Sequence, residues 1–491
     1  MDKISVSKLD EVYLQVSCDS GIARELAEFF SFFVPGYQFM PAYKMRMWNG
    51  KINLFNQMNY TLYIGLLPYL KEFCASRDYT LDVCDELTHK QKCSFEDCQK
   101  FLETLELPFE ARDYQIEAIR HGIKNHRALL LSPTGSGKSL IIYALARYYN
   151  KKTLVIVPTI SLVSQMFSDF KNYAKNQPEY NVDKICHPIY GGQEKITDKK
   201  VVISTWQSIY KLPKSWFEQF DVVIGDEVHL FKAKSLMSIM SKLDSAKYRF
   251  GTTGTLDGTQ THKLVLEGLF GTTFAVTTTK SLMDKKQLAD LSIECIVLKY
   301  DKDIIKARKK DNYQDEIKFL VQHEKRNMFI RNLAVSTKSN TLVIFQLVEL
   351  HGKVLYNLIK EKAHKIDPNR KVFFVSGETD AEVREEIRQI TENEKDAIIV
   401  ASSGVFSTGI NIRNLENIIF ASPTKSRIKT LQSIGRTLRI GDNSDKAKLY
   451  DIVDDMTDKS HKNFAVKHFL ERVKIYNEEK FKYKLHKVNL F

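Results

Sequence analysis

The sequence predicts an α/β protein: two tandem parallel-sheet domains, preceded by a small α+β domain and followed by a helical tail. Three observations carry this. From residue 128 onward, short, nearly continuous apolar runs alternate with stretches of helical spacing, as parallel strands covered by helices on both faces require. A polar, lysine-bearing stretch between Thr277 and Asp290 interrupts the pattern, which then starts again. Residues 1–100 do not share it. The 491-residue length agrees, because about 150 residues per domain gives about three domains. The expected boundaries are 1–100, 101–285, 286–456 and 457–491.

Composition narrows the class. Hydrophobic residues at 43% and charged residues at 27% fit a folded globular chain and argue against a disordered, collagen-like or coiled-coil architecture. No apolar stretch approaches the ~18 residues of a membrane-spanning helix. The polar-alternating N-terminus lacks the apolar core of a signal peptide. The 7 cysteines are scattered and hold no C-x-x-C pair, which fits free thiols in a reducing compartment. Cys84, Cys93 and Cys98, with His89 between, therefore read as structural rather than as a zinc site. Cytoplasmic location is the expectation. Lys and Arg number 73 against 60 Asp and Glu, a formal charge of +13, so a polyanionic partner is expected.

Within the first domain, Val12, Leu14 and Val16 alternate with polar residues, as in a half-buried strand. Residues 22–33 have helical spacing. Residues 45–64 hold strand-like segments with turn signals at Asn49-Gly50 and at 56–59, and 66–75 read as a helix. The stretch Tyr43, Lys44, Met45, Arg46, Met47, Trp48 and Lys51 interleaves cations with aromatic and apolar side chains around an expected hairpin turn. Lys44, Arg46 and Lys51 could neutralise phosphates while Trp48 stacks on a base. A hairpin whose aromatics enter the core accounts for the same pattern equally well.

The strands expected in the second domain are 128–131, 153–157, 201–204, 222–225 and 248–251. Ser132-Pro133-Thr134-Gly135-Ser136-Gly137-Lys138-Ser139 lies between the first of these and a helical stretch at 140–149, the strand–loop–helix setting of a phosphate loop. The G-x-x-x-x-G-K-[ST] pattern holds except at its first position, which is Ser132. Gly135 and Gly137 let the backbone wrap phosphates, with Pro133, Thr134 and Ser136 completing the cradle. Lys138 neutralises β/γ charge, and Ser139 is placed to bind Mg²⁺. The run 222–225 ends in Gly225-Asp226-Glu227-Val228-His229. Asp226 at a buried strand end can hold Mg²⁺, and Glu227 can orient and deprotonate a water. A nucleotide with Mg²⁺ is the expected ligand.

Together these elements resemble motifs I and II of the superfamily 2 helicases in their DExH form, read here as DEVH and ending at His229. Further segments line up in order. Arg112-Asp113-Tyr114-Gln115 resembles the R-x-Y-Q segment, whose Gln contacts adenine. Pro158-Thr159 resembles motif Ia, Ser204-Thr205-Trp206-Gln207 motif Ic, and Thr252-Thr253-Gly254-Thr255 motif III. Ser376-Gly377 with Arg384 resembles the turn after motif IV. Ser407-Thr408-Gly409-Ile410-Asn411 resembles motif V, with Asn411 where the family usually has Asp. Gln432-Ser433-Ile434-Gly435-Arg436-Thr437-Leu438-Arg439 resembles motif VI. The resemblance implies two RecA-like domains with ATP between them. It implies that Gln432, Arg436 and Arg439 act on the nucleotide from the second domain and that Gly409 lies at the nucleotide. An arginine finger of this kind is typically worth ~10³–10⁵ in rate. Thr159, Thr205 and Thr408 sit in hydroxyl-rich strand-end loops, which in the family track a nucleic-acid strand without reading its sequence. Helix capping is the ordinary use of such residues and is compatible with it.

The second sheet is expected from runs at 293–298, 341–345, 371–375, 397–400, 418–420 and 448–452, and the tail 457–491 reads as helical and basic. The W-[ND]-G-[KR]-I segment at Trp48–Ile52, the stretch 277–283 and the segment 404–409 are similar to the UvsW helicases of T4-like phages, over nearly the whole chain. This implies an ATP-dependent DNA and RNA–DNA helicase of 3′-to-5′ polarity. Its implied substrates are forks, recombination junctions and R-loops, in recombination, repair and replication. A monomer in the host cytoplasm is expected, with single-stranded and branched DNA, RNA–DNA hybrids, and phage recombination and single-strand-binding proteins as partners. Two other readings stay open: a duplex translocase that does not separate strands, and an annealing protein that uses ATP as a switch.

Overall fold

The computed structural model describes residues 3–490, except 232, 257–259, 409–411, 413, 423–445 and 460. For 233–234, 260–262, 381 and 406–408 it describes the backbone alone. The chain forms two compact units, Met1–Ser132 with Gly137–Thr277, and Pro133–Ser136 with Thr278–Phe491.

The first unit begins with a five-stranded mixed sheet. Its strands are β1 (Lys3–Lys8), β2 (Tyr13–Ser17), β5 (Phe55–Asn56), β6 (Thr61–Tyr63) and β7 (Thr80–Val83), in the order β5-β6-β2-β1-β7. A separate ribbon pairs β3 (Ser31–Phe33) antiparallel with β4 (Lys51–Asn53). The helix predicted over 22–33 runs Ser20–Phe29, with Asp19 accepting from the Gly21 and Ile22 amides. It stops because the following run of aromatics favours extended backbone and because Pro35 bars helix for the residue before it. The predicted hairpin at Asn49-Gly50 is not formed. Pro41 starts a helical turn, Pro41–Lys44, so β4 pairs with β3 across a long connection, not with the residues just before it.

Seven parallel strands make the sheet of the first motor domain: β8 (Arg127–Leu131), β9 (Thr153–Val157), β10 (Cys186–Ile189), β11 (Val201–Thr205), β12 (Val222–Gly225), β13 (Tyr248–Thr253) and β14 (Thr273–Ala275). Their order is β10-β11-β9-β12-β13-β8-β14. The two edge strands, β10 and β14, had no apolar run long enough to predict them. The inner strands are buried along almost their whole length, as expected of a parallel sheet with covered faces.

The N-terminal sheet and this motor domain share one hydrophobic core, which runs from Ile4 and Leu14 through Leu66 and Leu70 to Leu264 and Phe270. Polar contacts seal the join. Glu11 N–H donates to the Asp244 carbonyl at 2.9 Å, Glu11 pairs with Arg127 at 3.2 Å, and the Tyr69 hydroxyl donates to Glu267 at 2.6 Å. Gly65 lies so close that a methyl group there would overlap the Glu267 carbonyl oxygen. The expected boundary near residue 100 therefore does not separate two independent bodies. Arg249 of β13 is fully buried and donates to the carbonyls of Met240, Leu243 and Leu269, all at helix C-terminal ends, where a cation is favoured.

The second unit holds another all-parallel sheet: β15 (Asp290–Lys299), β16 (Thr341–Phe345), β17 (Val372–Val375), β18 (Ile398–Ser402), β19 (Asn417–Phe420), β20 (Lys446–Asp455) and β21 (Tyr483–Asn489). The order is β17-β18-β16-β19-β20-β15-β21. The architecture is thus two tandem RecA-like domains with a small mixed-sheet module ahead of them.

The predicted helical tail needs correction. Residues Phe464–Glu478 are helical, but β21 follows and pairs in parallel with β15 along Ile293–Lys299. Its largely exposed side chains, Lys484 and Lys487 among them, are those of an edge strand guarded by charge. The helix is held by Glu316, a buried carboxylate that accepts from the Phe464 and Ala465 amides at 2.9 and 2.7 Å. Two buried ion pairs on β20, Arg326–Asp454 and Arg472–Asp451, tie flanking helices to the sheet. Among the described residues no helix is long and apolar enough to cross a membrane.

Candidate active site

All strands of the first motor sheet run the same way, so β8, β9, β11, β12 and β13 end on one edge. Every functional segment predicted in this domain beyond the R-x-Y-Q stretch leaves that edge, where ligands of open parallel sheets bind.

The phosphate loop leaves β8. Ser132 N–H donates to the Thr253 carbonyl at 2.8 Å, and Ser136 Oγ donates to the Pro133 carbonyl at 2.6 Å. Gly135 and Gly137 have φ of +85° and +80°, a region open to glycine but strained for other residues. The helix Lys138–Tyr149 follows directly, with Gly137 as its N-cap. Lys138 Nζ lies 2.9 Å from Glu227 Oε1 and 3.4 Å from the Ser132 carbonyl. Ser139 Oγ lies 2.7 Å from the Tyr173 hydroxyl.

Gln115 is buried with its amide against Gly137, and its Oε1 accepts from the Arg112 amide at 2.9 Å. Arg112 reaches the Tyr114 hydroxyl at 2.8 Å. Phe109, three residues earlier and half-exposed, lies edge-on to Tyr173.

At the end of β12, Asp226 Oδ1 accepts from the Thr252 hydroxyl at 2.6 Å and from the Glu227 amide at 2.9 Å. Glu227 has φ of +47°, which is unusual for a glutamate and reflects a turn imposed by its surroundings. Its Oε2 faces the Gly254 amide at 3.4 Å and His229 Nδ1 at 3.4 Å. The Thr253 hydroxyl donates to the Thr255 carbonyl, so at 2.6 Å it accepts from His229 Nδ1, which fixes that nitrogen as the protonated one. His229 thus joins the carboxylates of β12 to the end of β13.

Charge is unevenly matched here. Burial and the neighbouring Glu227 push the Asp226 carboxyl up. Glu227 is also pushed up by burial, but Lys138, His229 and the Gly254 amide outweigh this and hold it below the ordinary range. One ammonium faces two buried carboxylates, and Glu227 takes most of its benefit.

Thr159 and Thr205 lie on the same edge. Thr159 caps the helix Ile160–Tyr173 by accepting from the Leu162 amide, and Thr205 is buried with its hydroxyl 2.8 Å from Ser208 Oγ. Both have a local partner, but only Thr159 caps a helix through its side chain; Thr205 makes no side-chain capping bond. In the second unit Thr408 ends the helix Ser403–Thr408 after β18. Gly409, Gln432, Arg436 and Arg439 lie outside the described residues.

In the N-terminal module, Lys44 and Arg46 are exposed, and Lys51 lies 4.9 Å from the Phe33 ring centre. Trp48 is half-buried and its indole N–H donates to the Lys51 carbonyl at 2.8 Å. Among the apolar side chains in the open on the segment 34–50 are Phe39, Met45 and Met47, 77%, 62% and 75% exposed.

The phosphate loop, the Asp-Glu-x-His turn and the two tandem sheets define a DExH motor of superfamily 2, an ATP-hydrolysing enzyme. Residues 3–84 match the family described as DNA helicase UvsW, N-terminal. Residues 108–258 match the type III restriction enzyme res subunit family, and 324–441 the helicase conserved C-terminal domain. The chain is 36% identical to the ATP-dependent DNA helicase uvsW of Enterobacteria phage T4, over 99% of this chain and 100% of that protein. It is 27% identical to the DNA 3'-5' translocase XPB2 of Sulfurisphaera tokodaii, over 70% of this chain and 81% of that one. The crystal structure of T4 UvsW superimposes with a TM-score of 0.53 at 35% identity, covering 100% of both chains. Yeast Dbp5 bound to RNA and ADP BeF3 shares the fold, with a TM-score of 0.55 at 13% identity over 81% of this chain and 96% of that one. The chain belongs to the UvsW helicase family and is an ATP-dependent DNA helicase.

Proposed function

We propose that this helicase separates strands at branched DNA and in RNA–DNA hybrids, moving 3′ to 5′, and serves recombination, repair and replication. The observation that carries the branched-substrate reading is the arm at 34–50. It presents Phe39, Met45 and Met47 beside exposed Lys44 and Arg46, within a span from Phe29 to Lys71 that holds no Asp or Glu. Cations without competing acids attract phosphates, and exposed apolar tips offer faces to unstacked bases. Such tips are of use at a junction, where bases leave the stack. The polarity reading draws support from the likeness to the DNA 3'-5' translocase XPB2 of Sulfurisphaera tokodaii.

Hydrolysis follows from the pairing of Lys138 with Glu227. Phosphate oxygens compete for Lys138, and once it turns to them Glu227 loses the cation that depresses it. Its basicity then rises as the attacking water must be deprotonated. Asp226 and Ser139 are hard oxygen donors in a site short of positive charge, which fits Mg²⁺. The ion would there neutralise charge on the β/γ-phosphates. Arg112, Gln115, Pro133, Thr134, Gly135, Ser136, Gly137 and Gly409 contact the nucleotide, and Gln432, Arg436 and Arg439 stabilise charge on its γ-phosphoryl. Thr159, Thr205 and Thr408 face the nucleic acid through their loops' backbone. The protein acts as a monomer in the host cytoplasm, with phage recombination and single-strand-binding proteins as partners.

The test is ATPase stimulation and strand separation measured side by side on single strands, duplex, fork, four-way junction and RNA–DNA hybrid. Strand separation fastest on forks and junctions is expected. ATP turnover on duplex with no separated strands on any substrate would instead make the protein a translocase.

A further inference from the structure

Tyr173 ends the helix Ile160–Tyr173, far in sequence from the phosphate loop, yet its hydroxyl lies 2.7 Å from Ser139 Oγ. The phenol is 8% exposed. Its ring is held between Tyr143, at 5.4 Å between centroids, and Phe109, at 5.7 Å. No predicted motif includes Tyr173, and neither the phosphate cradle nor the hydrolytic pair uses it.

A serine hydroxyl has one hydrogen and two acceptor lone pairs. If Oγ is to ligate a cation, a lone pair must face the ion and the hydrogen must point elsewhere, to an acceptor. A fixed acceptor selects that rotamer in advance, and outer partners of this kind are typically worth about 10–100-fold in metal affinity or activity. The Tyr173 oxygen stands at hydrogen-bond distance, on a ring packed too tightly to swing away. We infer that Tyr173 is a positioning residue for Mg²⁺: it accepts the Ser139 hydroxyl hydrogen and so turns a Ser139 lone pair toward the metal. The inference rests on Ser139 being a metal ligand, as proposed above.

Tyr173→Phe keeps the ring and removes only the oxygen. Binding of fluorescent ADP to the full chain is titrated at graded Mg²⁺ and again in EDTA, so that affinity is read apart from turnover. The Mg²⁺ concentration needed for half of the metal-dependent gain in affinity should rise about 10-fold, while affinity in EDTA stays unchanged. ATPase should show the same Mg²⁺ shift and recover kcat at high Mg²⁺. Ser139→Ala should abolish the metal-dependent gain, and Tyr173→Phe placed on top of it should add nothing. An unshifted Mg²⁺ dependence in Tyr173→Phe, with Ser139→Ala affected, overturns the inference. Equal weakening with and without Mg²⁺ also overturns it, because that marks a packing role. A wild-type Mg²⁺ dependence in Ser139→Ala removes the underlying ligand assignment instead.

Discussion

Single residues of the first motor domain divide the work of hydrolysis, and substitutions should separate the shares. Lys138→Ala removes the charge that meets the phosphates and leaves Asp226 and Glu227 facing each other. ATP turnover should vanish in a phosphate-release assay, and the Glu227 carboxyl should move up, since Lys138 opposes its burial. Glu227→Gln should retain nucleotide binding and lose hydrolysis, because an amide cannot take the water's proton. Wild-type turnover in that variant would refute the role given to Glu227. The grouping of Lys138, Asp226, Glu227 and His229 was legible in the sequence, because a strand-loop-helix and a strand-end carboxylate pair fix where their side chains emerge. Tyr173 was not. Its proximity to Ser139 depends on how one helix crosses another, which no local pattern encodes. Trp48 falls between its two sequence readings, since it is half-buried with its indole N–H donating to the Lys51 carbonyl.

At the scale of elements, the arm and the second sheet each carry a prediction. Changing Lys44, Arg46 and Lys51 together to Ala should reduce the salt dependence of fork binding, by up to ~0.9 log unit per phosphate contact on duplex. Changing Phe39, Met45 and Met47 to Ser should leave that slope nearly unchanged and lower strand separation. A fluorescence-anisotropy salt series with a gel unwinding assay distinguishes the two effects. In the second unit, His351 is fully buried, with Nδ1 3.1 Å from Ser422 Oγ, and burial together with nearby Arg326 holds it well below its ordinary range. The unfolded chain therefore binds a proton below about pH 6.5 that the folded chain refuses. Stability is complete above that value and falls as pH drops, by up to ~1.4 kcal/mol per pH unit for the one group. His323, also depressed by burial, adds to the slope. Urea unfolding at pH 7.5 and 5.5 should show the loss, and His351→Gln should make it shallower. Buried central strands were legible here as apolar runs. The edge strands β10, β14 and β21 were not, because an edge has one neighbour and tolerates polar or charged side chains.

For the whole molecule, the order of the domains could be read from where the alternation of apolar runs and helical stretches starts, breaks and restarts, but whether the first module is independent could not. From the sequence, removing residues 1–95 should spare ATPase, since no nucleotide motif lies there. The shared core changes that expectation. Truncation would strip Leu264, Val265, Leu269 and Phe270 of their cover and leave Glu267 without Tyr69. The truncated chain should unfold at lower temperature than the full one, or aggregate, in a thermal melt. Gly65→Ala tests the same join gently and should cost about 1–3 kcal/mol through overpacking against the Glu267 backbone. Arg439→Ala bears on coupling. It should leave nucleotide Kd largely intact and lower kcat steeply, because the lost charge acts in the transition state. Arg439→Lys should rescue poorly, since an ammonium lacks the planar fork. A normal kcat in Arg439→Ala would shift the role to Arg436.

The seamless core between the mixed sheet and the first motor domain also sets how the arm finds its target. A module on a flexible tether explores a volume, and its contacts depend on an effective concentration set by the length of the tether. Here there is no tether. The strands that carry the arm, β3 and β4, pack against the shared core through Phe32 and Ile52, so the encounter of Phe39 and Met47 with a junction is decided when the first motor domain itself docks. Lengthening the segment before the loop would not extend their reach; only the arm's own 34–50 backbone can. Any rotation of the first motor domain is carried undiminished to the base of the arm, as in a lever with no spring at its pivot.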